Sequence, residues 1–80
     1  MQVGIGPVQV FVSPDSKTVL VANRGTAEQP STTLSIVETD SLSVVKTVET
    51  GQGAHGVTID PTGQHAYVTN IYGNDLAVLD

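Results

Sequence analysis

The chain has 80 residues, with 3 Lys+Arg against 8 Asp+Glu, a formal charge of -5 and no cysteine. That length holds one small domain, and the absence of cysteine excludes a disulfide scaffold and thiolate metal sites. Three scattered cations cannot track a phosphate backbone, which argues against nucleic-acid binding, and no apolar run approaches the ~20 residues of a membrane-spanning helix.

The elements follow in chain order. Val8, Val10 and Val12 alternate with Gln9, Phe11 and Ser13, the two-residue period of a strand. Pro14, Asp15 and Ser16 supply turn chemistry, and residues 18–23 form a second strand. Residues 24–33 are polar, hold one Gly and one Pro, and read as a long loop. Residues 34–38 give a third strand, Asp40 and Ser41 a turn, and residues 44–49 a fourth. Gly51-Gln52-Gly53 opens a further strand carrying His55; a dinucleotide-binding fingerprint would open a helix instead. Pro61-Thr62-Gly63 is a turn, and residues 66–70 and 76–80 are strands. No segment sustains a 3.6-residue period, so no helix is expected.

The second half repeats the first. Residues 4–23 lie over residues 51–70 at an offset of 47, with six identities: Gly4, Gly6, Val10, Pro14, Val21 and Asn23. Residues 34–37 then lie over 76–79 at an offset of 42, the difference being an insertion within residues 24–33. Four strands at a period of about 42 residues match the blade of a β-propeller. The expected fold is therefore all-β, with four-stranded antiparallel blades of an incomplete propeller. Residues 1–80 are propeller repeats throughout, with a first blade at about 8–50 and a second, incomplete one at about 55–80. A pair of stacked hairpins is the plainer alternative, but it does not account for the repeat.

Ala66-Tyr67-Val68-Thr69-Asn70, preceded by residues 51–63, resembles the YVTN family of β-propeller repeats, named from that tetrapeptide. In the first copy the tetrapeptide is degenerate (Leu20-Val21-Ala22-Asn23), and Val8 stands where the second copy has His55. The resemblance implies a propeller of about four to eight blades, so further blades or self-association are needed to close the ring. The end at Asp80, where a fourth strand would begin, reads as the mark of a fragment. The resemblance also implies a binding or interaction module of a secreted or periplasmic protein, with a cytoplasmic one as the alternative. Lactonase-like enzymes and propellers of haem or copper redox proteins share the repeat and supply the alternative functions.

Antiparallel strands place the link before His55 and the loops after Asn23 and Asn70 at one end. His55, Arg24, Tyr72 and Asn70 are the candidate ligand-binding residues there, with Glu28, Asn74 and Asn23 beside them. Arg24 suits a carboxylate or phosphate, and His55 a ligand contact or proton transfer. Each has a plainer reading, as a solvated loop residue or a side chain tied to backbone. His65 belongs to the opposite end, so a two-histidine metal site is not expected. Asp15 and Asp60 read as turn-capping carboxylates. Neither a catalytic residue, a metal nor a cofactor is expected from this pattern, and the partner is an unspecified small molecule or protein at the loop end.

Overall fold

The computed structural model describes all 80 residues, which form seven strands joined by turns and a short link. They are β1 (Pro7–Val12), β2 (Thr18–Gly25), β3 (Pro30–Glu38), β4 (Ser43–Glu49), β5 (Ala54–Ile59), β6 (Ala66–Asn70) and β7 (Asp75–Leu79). No helix forms, and so none is long and apolar enough to cross a membrane. Two antiparallel sheets result: a four-stranded one ordered β1-β2-β3-β4 and a three-stranded one ordered β5-β6-β7.

The expected loop at residues 24–33 is mostly strand. β2 runs on to Gly25 and β3 begins at Pro30, leaving a four-residue turn closed by Thr26 N–H donating to Gln29 O at 3.0 Å. Ser31, Thr32 and Thr33 are polar but fit a pleated surface, and Asn23 pairs with Thr33. The insertion therefore lengthens a hairpin, with a bulge between Asn23 and Gly25 absorbing the odd residue.

The two sheets share one register. Val10 pairs with Val21 and Val12 with Val19; at the 47-residue offset, Val57 pairs with Val68 and Ile59 with Ala66. Ala22 faces Leu34 and Leu20 faces Ile36; the same positions in the second sheet pair Thr69 with Leu76 and Tyr67 with Val78. Even the irregularity recurs, since the register shifts between Pro7 and Gln9 and again between Ala54 and Val57.

Alternation along each strand gives every sheet two faces. Leu20, Ala22 and Leu34 of the first sheet cluster with Ala54, Val57, Ala66 and Val68 of the second, joined by the partly buried Phe11, Ile36, Ile59, Ala77 and Leu79. Translated through the repeat, the first sheet buries its front face against the back face of the second. The back face of the first sheet carries Val10 and Val12, 59% and 50% exposed. The front face of the second carries Leu76 and Val78, 57% and 56% exposed. Each sheet thus has one covered face and one open one, and the covered face of one sheet corresponds to the open face of the other. Packing between them runs through β5 against β1, β2 and β3, so the sheets splay apart toward β4 and β7.

One polar strut crosses this interface. The bulge in β5 turns the Val57 N–H toward the first sheet, where Gln9 Oε1 accepts it at 2.8 Å. The second copy has Gly56 in place of Gln9, so the amide is particular to the first sheet.

Candidate functional site

The end of the molecule that holds the inter-sheet link is built on two glycine–asparagine pairs. Asn23 and Asn70 end the regular part of β2 and β6 and are 0% and 1% exposed. A side chain on Gly4 would come within 2.6 Å of the Asn23 amide, and one on Gly51 within 2.6 Å of the Asn70 amide. Glycine is thus needed at both positions so that the link can cross directly over the asparagine. Two residues on, Gly6 and Gly53 turn the chain into the strand at φ +62° and +75°, which costs a residue with a Cβ about 1–2 kcal/mol. These requirements account for three of the repeat's six identities, Gly4, Gly6 and Asn23.

The link is fastened to both sheets. Thr50 N–H donates to Thr32 O at 2.8 Å and Gly53 N–H to Ser31 O at 2.7 Å, on the lengthened hairpin. On the other side Ile71 N–H donates to Gly53 O at 2.9 Å and Tyr72 N–H to Gln52 O at 3.2 Å. The N-terminal segment repeats the pattern, with Arg24 N–H on Gly6 O at 2.9 Å and Gly25 N–H on Ile5 O at 3.0 Å. Residues 5–6 and 52–53 therefore act as short additional strands that stiffen this end.

Arg24 and Tyr72 both flank these segments. Arg24 is half-buried on β2, and its Nε donates to the Gly25 carbonyl at 3.4 Å. Tyr72 sits in the four-residue turn between β6 and β7 with its ring against Gly53. His55 is half-buried within the β5 bulge. Asn70 differs from these three. Its amide Nδ2 donates to Thr50 O at 3.1 Å and to Asp75 Oδ1 at 2.9 Å, so the side chain ties the link to the β6–β7 hairpin from inside. Asn23 does its own version, donating to Ser35 Oγ at 2.9 Å and Thr33 Oγ1 at 3.2 Å. In both residues the buried Oδ1 has no donor. Glu28 is exposed in the β2–β3 turn, and Asn74 closes the β6–β7 turn at φ +58°.

The opposite end holds the two turn carboxylates. Asp15 Oδ1 accepts from Ser13 Oγ–H at 2.6 Å and from Lys17 N–H at 3.0 Å. Asp60 Oδ1 accepts from Thr62 Oγ1–H at 2.7 Å and from Gln64 N–H at 3.1 Å. The Ser13 hydroxyl chiefly, with the Lys17 amide, lowers the pKa of Asp15; the Thr62 hydroxyl chiefly, with the Gln64 amide, lowers that of Asp60. His65 lies between Asp60 Oδ2 at 3.4 Å and Asp80 Oδ1 at 3.3 Å. No cluster of three or more His, Asp or Glu side chains suited to a metal ion forms anywhere.

Sequence reasoning missed Gln9 as a structural residue. Its signal was a mismatch within the repeat, Gln9 over Gly56, at a point where most aligned positions keep their polarity. It also missed a cavity of about 430 Å³ that opens between the splayed outer strands, floored by Ile36, Val48, Ile59 and Leu79.

Comparison with solved structures gives a fold of the same kind. The chain superposes over 100% of its length on part of hydrazine synthase from Kuenenia stuttgartiensis, with a TM-score of 0.85 and 22% identity. It spans only 22% of that chain, and at this identity the likeness is one of fold. No protein-family model and no curated protein matches the chain, so membership of the YVTN family is not shown.

Proposed function

We propose that this chain is a pair of adjacent β-propeller blades serving as a non-enzymatic binding or interaction module within a larger secreted or periplasmic protein. The observation that carries the reading is the front-to-back stacking of two sheets in one register. A heterologous contact of this type leaves a complementary face open at each end, and successive copies generate a ring where the rotation closes. Resemblance to YVTN-type repeats supports the same architecture, and the extracellular or periplasmic setting comes from that resemblance. Placement of binding at the link end rests on its construction: Arg24 on β2, His55 in the β5 bulge and Tyr72 on the β6–β7 turn stand around a link that is hydrogen-bonded to both sheets, and rigidly held loops are where recognition concentrates. Arg24 gives that end affinity for carboxylate or phosphate groups, while Asn70 contributes by holding the link in place.

Titration of the isotopically labelled chain with succinate and with inorganic phosphate tests the reading. Shifts are expected at the Arg24 side chain and at the amides of residues 51–56, and they should vanish in Arg24→Gln. Shifts confined to the Asp15 and Asp60 end would move the binding surface elsewhere. Lactone hydrolysis that is lost in His55→Ala would replace the module with an enzyme.

A further inference from the structure

Strand β4 carries one residue more than its pairing uses. Leu34 pairs with Val48, Ser35 with Thr47 and Ile36 with Lys46, but the next pair is Val37 with Val44. Val45 is left over as a bulge and stands 55% exposed. Its removal would leave each of these pairs in place, and each residue on the face it already occupies. Neither the ladder nor the core therefore accounts for Val45. We propose that the Val45 bulge is a guard on the outer rim of the molecule, interrupting the free edge of β4 so that no second copy of the chain adds to it as a strand. The proposal rests on the register of the first sheet, not on the binding role of the link end, and adds to that role a rim kept clear of strand partners.

Two observations meet here. The first is that β4 is the strand on which a guard is needed. It pairs with β3 alone and ends the first sheet. At the opposite edge β1 packs beside β5 and begins with Pro7, which has no N–H to offer. Within β4, Val44, Val45, Thr47 and Val48 are β-branched, no residue is Pro or Gly, and Lys46 and Glu49 cancel in charge. A regular edge of that composition is a template for another strand. The second observation is where the extra residue falls. Val45 divides the edge into Ser43–Val44 and Lys46–Glu49, two runs too short to hold a partner strand firmly. A bulge leaves its extra residue unpaired, bends the strand and increases its twist, so a straight partner cannot follow the edge past it. The exposed Lys46 stands directly beside the bulge and adds a charge at the same point.

The test deletes Val45 from the 80-residue chain and follows hydrogen exchange of the β4 amides as protein concentration rises. In the deletion variant, protection of the amides that face away from β3 is expected to grow with concentration by about tenfold or more, while in the native chain they stay unprotected throughout. Lys46→Val removes the charge but keeps the bulge, and is expected to behave as the native chain does. Exchange in the deletion variant that matches the native chain overturns the proposal. So does protection in Lys46→Val, because the charge and not the bulge would then be the guard. Protection that rises together with shifts of the Val10 and Leu76 methyl signals would come from association through the open sheet faces and counts against the proposal. Methyl contacts between Leu34 and Val68 report the fold on the same samples. Their loss on deletion would show that the fold itself needs Val45, and that outcome overturns the proposal as well.

Discussion

The first and second sheets are built to one register yet bury opposite faces, and this difference exposes what the repeat encodes. Position for position, Leu34 and Leu76 are the same residue at the same point in the pairing. Leu34 is fully buried at 0% exposure, while Leu76 is 57% exposed. Val57 is buried at 5%, and its counterpart Val10 is 59% exposed. Local sequence therefore specifies strand, bulge and pairing; which face is buried is decided by what stands next in the stack. Neither sheet could be assigned a solvent face from its own pattern, because both faces are apolar.

The sharpest way to break the comparison is to truncate the paired leucines. Leu34→Ala should lower stability by about 2–5 kcal/mol in urea denaturation, as expected for a buried leucine. Leu76→Ala should stay within about 0.5 kcal/mol, as for an exposed site. Equal losses would mean that both front faces are covered in solution. Next in size are the link glycines. Gly53→Ala should cost about 1–3 kcal/mol, since it combines positive φ with the Tyr72 ring, and the thermal midpoint would report it. Gly6→Ala should behave alike, because the Cβ would come within 2.8 Å of the Gly25 backbone nitrogen.

The Gln9 strut sharpens the contrast from the other direction. Gln9→Leu leaves the Val57 N–H unpaired in the interface and should cost about 1–3 kcal/mol. Gly56, the matching position, offers no such strut, and its N–H is satisfied within its own sheet by Thr69 Oγ1 at 2.9 Å. The smallest effect concerns acid. Asp15 and Asp60 have folded-state pKa values below the ordinary 3.8, so each stabilises the fold fully above that pH and ceases to do so as pH falls through its lowered value. Asp15→Asn and Asp60→Asn should each flatten acid unfolding slightly below about pH 4, read by circular dichroism, with neutral-pH stability reduced a little.

Much of the architecture was legible before the fold was known, for physical reasons that differ by element. The seven strands follow from β-branched runs set between Pro, Gly and Asp turns. The turn roles of Asp15 and Asp60 follow from their places beside Pro14 and Pro61. The candidate end was also recognisable, because strand alternation alone brings Arg24, Tyr72 and the link together. Residues 24–33 misled because Ser31, Thr32 and Thr33 are polar, yet they form strand once the link hydrogen-bonds to them. Asn70 was read as a ligand residue on the grounds of its position. Its recurrence with Asn23 at matched strand ends also pointed to an amide that caps the adjoining loop; the partners, Thr50 O and Asp75 Oδ1, depend on the path of residues 50–51 across it and were not legible. The wedge beside β7 could not be read at all, since it depends on how far two sheets splay.

The claim on which the rest depends is that two like sheets stack front to back. Methyl–methyl nuclear Overhauser effects in the isotopically labelled chain test it most directly. Contacts are predicted from Leu20 and Leu34 to Val57 and Val68, with none from Val10 or Val12 to the second sheet. Contacts linking Val10 or Val12 to Val57 or Val68 would place the sheets back to back and contradict the account.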